Sequence, residues 1–155
     1  MRTKFQLLSV CALSLFALAA CDGDGGSLDR PLHFELPPEY SGPVLLIEKS
    51  DAPKALITRP KEYRFIIPPS GVLHLSDAWV LRRWYTTRAS FSDGSPIPVE
   101  STSRVGFHDG PTSTRDNRTY YNWFFVGEKT AAKEFFYGRD SDRREKDWLS
   151  QHGVR

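Results

Sequence analysis

Residues 120–126 read Tyr-Tyr-Asn-Trp-Phe-Phe-Val, a run in which only the asparagine is strongly polar. A strand with one face in water alternates between apolar and polar residues, whereas a strand buried on both faces is apolar throughout. The run therefore predicts a central strand that is covered on both sides.

Shorter apolar or alternating runs precede this strand, and proline, glycine, serine and aspartate cluster between them, as they do at turns. The predicted strands are Leu32–Leu36, Val44–Lys49, Glu62–Ile67, Val72–Ser76, the long run Trp79–Phe91, and a hairpin of Ile97–Glu100 with Ser103–Phe107. The polar stretch His108–Arg118 is predicted to be a loop. Many short strands with regular turn signals favour a mainly β fold, an antiparallel β-sandwich.

Helix is predicted only near the C-terminus. Thr130 is expected to cap a short helix that Gly138 closes, because residues 131, 132, 135 and 136 form an apolar face at one-turn spacing. Asp142 followed by Glu145 has the spacing of a capping box for a last helix. That helix is highly charged apart from Trp148 and Leu149, so it is expected on the surface.

Three stretches in this order resemble a family of small bacterial envelope proteins defined by a domain of unknown function. They are LPPEYSGPV at 36–44, FIIPPSGVL at 65–73 and WFFVGE at 123–128. The resemblance covers residues 32–137 and implies a β-sandwich of the prealbumin or immunoglobulin type, with no known catalytic residues. Within these motifs Gly42 and Gly71 are expected to supply positive φ or close approach at turns.

The first twenty residues have the pattern of a secretory signal peptide. Arg2 and Lys4 precede an apolar run that is shorter than the about 20 apolar residues a membrane-spanning helix needs. The run ends in Leu-Ala-Ala20-Cys21, which resembles the lipobox of bacterial lipoproteins. The resemblance implies cleavage between Ala20 and Cys21, a diacylglyceryl group on the Cys21 sulfur and an acyl chain such as palmitate on its amine. The expected location is the periplasmic side of the cell envelope, with Asp22 slightly favouring the inner over the outer membrane.

Four segments follow from these patterns. Residues 1–20 are the predicted signal peptide, 21–31 a flexible tether, 32–137 the β-sandwich and 138–155 a charged, partly helical tail. Removing the signal also removes Arg2 and Lys4, which leaves 19 basic residues against 19 acidic ones. A neutral chain gives no reason to expect nucleic acid as a partner. Cys11 leaves with the signal, so neither a disulfide nor a thiol site is expected, and no metal or cofactor is predicted.

The sequence gives little support for catalysis. Neither an H-E-x-x-H nor a G-x-S-x-G motif is present. His108 beside Asp109 is the best local acid–base candidate, and a hydrolase built around His108 stays open as an alternative. A non-catalytic lipoprotein that mediates protein or envelope contacts is the first hypothesis.

A second alternative is a binding face on the predicted strand Trp79–Phe91. Alternation gives it an outward side made of Val80, Arg82, Trp84, Thr86, Arg88 and Ser90. The candidate binding residues among them are Arg82, Trp84 and Arg88. Arginine beside tryptophan forms cation–π pairs and also binds carboxylate or phosphate. The face would suit an anionic glycan, a lipid headgroup or a protein. In the competing interpretation, the tail helix covers Trp84 and Trp148 is its neighbour.

Overall fold

A computed structural model describes residues 26–99, 105–115 and 119–153, with the backbone alone at 113–115 and 119. The strands in these ranges are β1 Leu32–Leu36, β2 Gly42–Glu48, β3 Ile57–Thr58, β4 Tyr63–Ile66, β5 Val72–Leu75, β6 Thr87–Phe91, β7 Pro96–Ile97, β8 Gly106–Arg115 and β9 Thr119–Gly127. A 3-10 helix spans Trp79–Arg82, and helices α1 Lys129–Tyr137 and α2 Ser141–Gln151 follow the last strand. None of the helices in these ranges is long and apolar enough to cross a membrane.

Two sheets confirm the predicted mainly β class. The five-stranded sheet has the order β3-β4-β1-β6-β7, and the four-stranded sheet has the order β5-β2-β9-β8. Pairing is mixed, not purely antiparallel: β1 runs parallel to β4 and β6, and β2 runs parallel to β5. The reason is the chain path, because the chain leaves one sheet for the other before it returns, and such crossovers generate parallel neighbours.

The core between the two sheets is built around aromatic rings. In β1 the side chains alternate, so Leu32, Phe34 and Leu36 are buried while the residues between them face outward. The Phe34 ring lies 4.6 Å from that of Phe124 and 4.9 Å from that of Phe107, measured between centroids. Full burial of a phenylalanine contributes about 1.5–3 kcal/mol, so this cluster is a main source of stability.

Strand β9 lies between β2 and β8 and is buried on both faces, as predicted. On one face Phe124 and Val126 join the core between the sheets. On the other face Trp123 belongs to a second apolar cluster beneath the helices. Helix α2 contributes Leu149, which is only 2% exposed, and Trp148, whose ring lies 5.8 Å from that of Trp123.

The predicted long strand Trp79–Phe91 was wrong in its first half. Trp79–Arg82 forms a 3-10 helix, and only Thr87–Phe91 is strand. The Asp77 carboxylate accepts a hydrogen bond from the Trp79 N–H at 2.9 Å, which turns the chain. Val80 and Leu81 are both buried, an arrangement that strand alternation does not give.

The predicted loop His108–Arg118 was also wrong, because Gly106–Arg115 is strand β8. Its polar side chains misled the prediction, since main-chain pairing with β9 needs no apolar residues. The register shifts between Asp109 and Thr112, where Pro111 lacks an N–H to donate.

The hairpin of Ile97–Glu100 with Ser103–Phe107 was wrong too. Ile97 instead pairs with Ala89 of β6, and Val99 forms a parallel bridge to Phe107. Residues 100–104 lie outside the described part of the chain.

Helix ends differ in detail from the predicted caps. Helix α1 begins at Lys129 after Glu128, so Thr130 is not its cap, but it does end at Gly138 as predicted. Helix α2 begins at Ser141, and the capping box of Asp142 with Glu145 does not form. Glu145 instead accepts a hydrogen bond from the Tyr121 hydroxyl at 2.8 Å, which ties α2 to the sheet.

The three family-like motifs meet at one end of the molecule. The Tyr40 hydroxyl donates to the Pro43 carbonyl, and Gly71 lies directly against the Tyr40 ring and hydroxyl. Burial raises the pKa of Tyr40 to about 12, so this hydroxyl keeps its proton. Gly42 and Gly71 have φ of +123° and +74°, which confirms the expected positive φ. Ser41 completes the junction by donating to the carbonyl of Val126 at 3.2 Å.

Candidate binding site on the outer face of the five-stranded sheet

Three neighbouring strands, β4, β1 and β6, present a largely polar face to solvent, on which Ile66 is an exposed apolar residue. His33 of β1 is in register with Arg64 of β4 on one side and with Arg88 of β6 on the other. Paired residues point to the same side of a sheet, and so do residues two apart in one strand. This outer face therefore gathers His33, Glu35, Glu62, Arg64, Arg88 and Ser90.

His33 stands at the centre of this face and bridges two partners. Its Nδ1 lies 3.0 Å from Glu62 Oε2, and its Nε2 lies 2.9 Å from Ser90 Oγ. An ionised carboxylate only accepts hydrogen bonds, so Nδ1 must carry a proton. In the neutral imidazole Nε2 is then unprotonated and accepts the Ser90 hydroxyl proton. The bonds thus run in one direction, from Ser90 through His33 to Glu62.

Arg64 holds Glu62 in place and keeps it ionised. Arg64 Nε donates to Glu62 Oε1 at 2.8 Å, and its Nη1 donates to Glu35 Oε2 at 2.9 Å. Burial alone raises the pKa of Glu62, but the bonds and charges of Arg64 and His33 outweigh it and leave the pKa below its ordinary 4.5. Glu62 is therefore a carboxylate at neutral pH, as the His33 tautomer requires.

A hollow of about 340 Å³ adjoins the bridge. Pro96 and Val99 form its apolar wall, while His33, Arg88 and Ser90 supply polar groups. Ile97 also borders the hollow, but it is only 3% exposed and its side chain packs in the core. Arg88 is exposed and has no ion-pair partner among the residues that the structure describes. An unpaired guanidinium beside a hollow can receive a carboxylate or phosphate through its two-pronged donor geometry.

The predicted Arg82–Trp84–Arg88 face is not one strand face. Arg88 does point outward from β6 together with Ser90, as predicted. Arg82 lies in the 3-10 helix, where it pairs with Glu48 and stacks 4.9 Å over the Tyr120 ring. Trp84 follows that helix with 77% of its surface exposed, so the tail does not cover it.

His108, the residue around which the hydrolase alternative is built, makes a hydrogen bond that links two strands. It is 6% exposed in β8, and its Nε2 donates to the Gly127 carbonyl at 3.0 Å. A hollow of about 200 Å³ lies beside it, lined also by Asp109, Lys129 and Lys133. Because Nε2 is engaged in the hydrogen bond to the Gly127 carbonyl, only Nδ1 can bind a ligand or accept a proton.

Sequence reasoning missed His33, Glu62 and Ser90 as a group. The alternation in Leu32–Leu36 could have placed His33 on the outward face. Glu62 and Ser90 come close to His33 because β1 pairs with β4 and with β6. The sequence around His33 contains no pattern that indicates this pairing.

Little similarity to known proteins is found. No family model and no curated protein matches the chain. A 2.75 Å crystal structure described as a candidate lipoprotein from Bacillus anthracis resembles it at 12% sequence identity, with a TM-score of 0.46. The alignment covers 77% of this chain and 92% of that chain. The predicted lipidation residues Ala20 and Cys21 lie outside the described ranges.

Proposed function

We propose that the protein is a lipid-anchored component of the bacterial cell envelope. The support is the residue pattern of the N-terminus, with its basic start, short apolar run and the sequence Leu-Ala-Ala20-Cys21. A diacylglyceryl Cys21 carries two acyl chains, and two chains hold a protein stably whereas one holds it only marginally. In this proposal the domain faces the periplasm, and Asp22 favours the inner membrane.

We further propose that the anchored domain contacts an anionic group of an envelope glycan through the outer sheet face. The observation that carries this proposal is exposed Arg88, without an ion-pair partner in the described ranges, beside the hollow that His33 and Ser90 line. A carboxylate or phosphate in the hollow would pair with Arg88, and a sugar ring would lie against Pro96 and Val99. Such binding involves no catalysis, and it is the glycan-binding alternative predicted from the sequence, now placed around Arg88.

The anchor is tested by Cys21→Ala. We expect the unaltered protein to sediment with membranes, and the variant, which has no sulfur to acylate, to lose that association. Mass spectrometry of the mature N-terminus should find Cys21 as its first residue with the mass of the lipid added. An unmodified Cys21, or cleavage at another position, would refute the anchor.

The binding face is tested by Arg88→Ala, with galacturonate trimer as the probe. A charge-assisted hydrogen bond contributes about 1.5–3 kcal/mol, so we expect Kd to rise about tenfold or more in titration calorimetry. Arg139→Ala is the matched control, because Arg139 is exposed beyond α1 and away from the hollow. Vesicles containing phosphatidylglycerol form a second arm, and binding to them alone would replace the glycan by a lipid headgroup. Equal affinity of both variants for the trimer would refute the role of Arg88.

A further inference from the structure

We infer that Ser90, His33 and Glu62 form a nucleophile–base–carboxylate relay that hydrolyses a short-chain carboxylic ester bound in the hollow beside Arg88. The inference goes beyond binding and departs from the sequence-based expectation of a non-catalytic protein. That expectation relied on local motifs, whereas these three residues come from three separate segments of the chain: β1, the residue before β4, and β6.

The relay has the geometry that nucleophilic catalysis requires. A serine is a weak nucleophile until a base within hydrogen-bond reach accepts its proton, and the base needs a third group to orient it. Here the two distances are 2.9 Å from Ser90 Oγ to His33 Nε2 and 3.0 Å from His33 Nδ1 to Glu62 Oε2. The tautomer forced by Glu62 is the one that leaves Nε2 free to accept the proton.

The carboxylate end of the relay is fixed more firmly than an ordinary surface pair. The side chains of His33 and Glu62 are 16% and 15% exposed, and Arg64 binds the second oxygen of Glu62. Arg64 is in turn held by Glu35. Such supporting contacts reduce the rotational freedom of a catalytic constellation.

The hollow supplies a place for substrate and a charge for the transition state. Arg88 and Ser90 are two residues apart on the same side of β6, a separation of about 7 Å along the strand that the long arginine side chain can cross. A guanidinium there would stabilise the negative charge that develops on the carbonyl oxygen. The apolar wall of Pro96 and Val99 suits a small acyl group.

The reaction balances with water as the only co-reactant. Ser90 Oγ attacks the ester carbonyl carbon while its proton passes to His33 Nε2. The tetrahedral intermediate collapses, the bond to the alcohol oxygen breaks, and His33 returns the proton to the departing alcohol. Water then attacks the acyl ester on Ser90 and gives a proton to His33, which passes it back to Ser90 Oγ as the carboxylic acid leaves.

The test uses the full chain, processed at Cys21 and kept in mild detergent. A fluorophosphonate probe should add to Ser90, located by peptide mass spectrometry, and p-nitrophenyl acetate should be hydrolysed above the rate in buffer. Ser90→Ala should abolish both signals, and His33→Ala should lower hydrolysis by about 100-fold or more, the usual contribution of a general base. Ser92→Ala, an exposed serine in the turn after β6, should leave both unchanged.

The relay is refuted if the probe does not label Ser90, or if Ser90→Ala hydrolyses the ester as fast as the unaltered chain. Thermal melting of each variant shows whether it is folded, and Ser90→Ala removes only one oxygen atom, so it keeps the test decisive even if His33→Ala unfolds. Binding of galacturonate by Arg88 is read without turnover, so failure of the relay and failure of the binding role are distinguishable.

Discussion

Phe34→Ala is expected to lower the free energy of unfolding by about 3–5 kcal/mol, the usual cost of removing a fully buried phenylalanine. Phe34 has no exposed surface and lies at the centre of β1, the middle strand of its sheet. Its ring meets those of Phe65, Phe107 and Phe124, which come from β4, β8 and β9. Strands from both sheets therefore border the cavity, and neither sheet can move to fill it alone.

Urea denaturation followed by tryptophan fluorescence measures this effect. Trp84→Ala is the control, because a side chain that is 77% exposed should change the free energy of unfolding by less than about 0.5 kcal/mol. A domain of this kind is stabilised by about 5–15 kcal/mol in total, so the Phe34 variant should unfold at a much lower urea concentration. A loss below about 1.5 kcal/mol would show that the ring cluster is not the central core.

Gly71→Ala is expected to be the second most damaging single change, at about 2–5 kcal/mol. The backbone there has φ of +74°, which costs an alanine about 1–2 kcal/mol. An added Cβ would also lie 1.9 Å from the Tyr40 hydroxyl oxygen and 2.7 Å from the Pro43 carbonyl oxygen. Such overpacking costs about 1–3 kcal/mol more, because Tyr40 is fastened to Pro43 and cannot easily withdraw.

Gly94→Ala separates the two causes. Gly94 has φ of +90°, but a Cβ there would meet nothing within 4 Å, so only the backbone cost of about 1–2 kcal/mol is expected. Tyr40→Phe in the Gly71→Ala background should recover part of the loss, since it removes the nearest clashing atom. Equal losses for the two glycine variants in thermal or urea unfolding would mean that Tyr40 moves aside freely.

The sequence predicted correctly those strands whose order of apolar and polar residues directly reflects which of their faces are buried. Alternation in Leu32–Leu36 and the continuous apolar run at 120–126 both report local burial, and both strands formed as predicted. The predictions for Trp79–Phe91 and His108–Arg118 failed for opposite reasons. In the first, a local hydrogen bond from the Trp79 N–H to the Asp77 side chain accompanies a helical turn in an apolar run. In the second, main-chain pairing makes a strand from polar residues.

The candidate site could be predicted only in part for the same physical reason. Alternation from Arg88 to Ser90 gave the correct outward face of β6, since it depends on one strand alone. His33 and Glu62 are 29 residues apart and His33 and Ser90 are 57 apart, and they meet through parallel pairing. The pattern of apolar and polar residues in a single sequence does not indicate which strands become neighbours in a sheet.

The mixed pairing of the two sheets also has a consequence for how the chain reaches its native state. Strand β2 pairs with β9, which is the last strand along the chain. Strand β1 pairs with β4 and β6, and the segments between them belong partly to the other sheet. Contacts between such distant segments give a high contact order, for which folding times of milliseconds to seconds are typical. The chain must therefore be largely complete before β2 can pair with β9. Until then the unpaired main-chain edge and the apolar side chains of β2 are exposed to other chains. Aggregation therefore competes with folding during that interval.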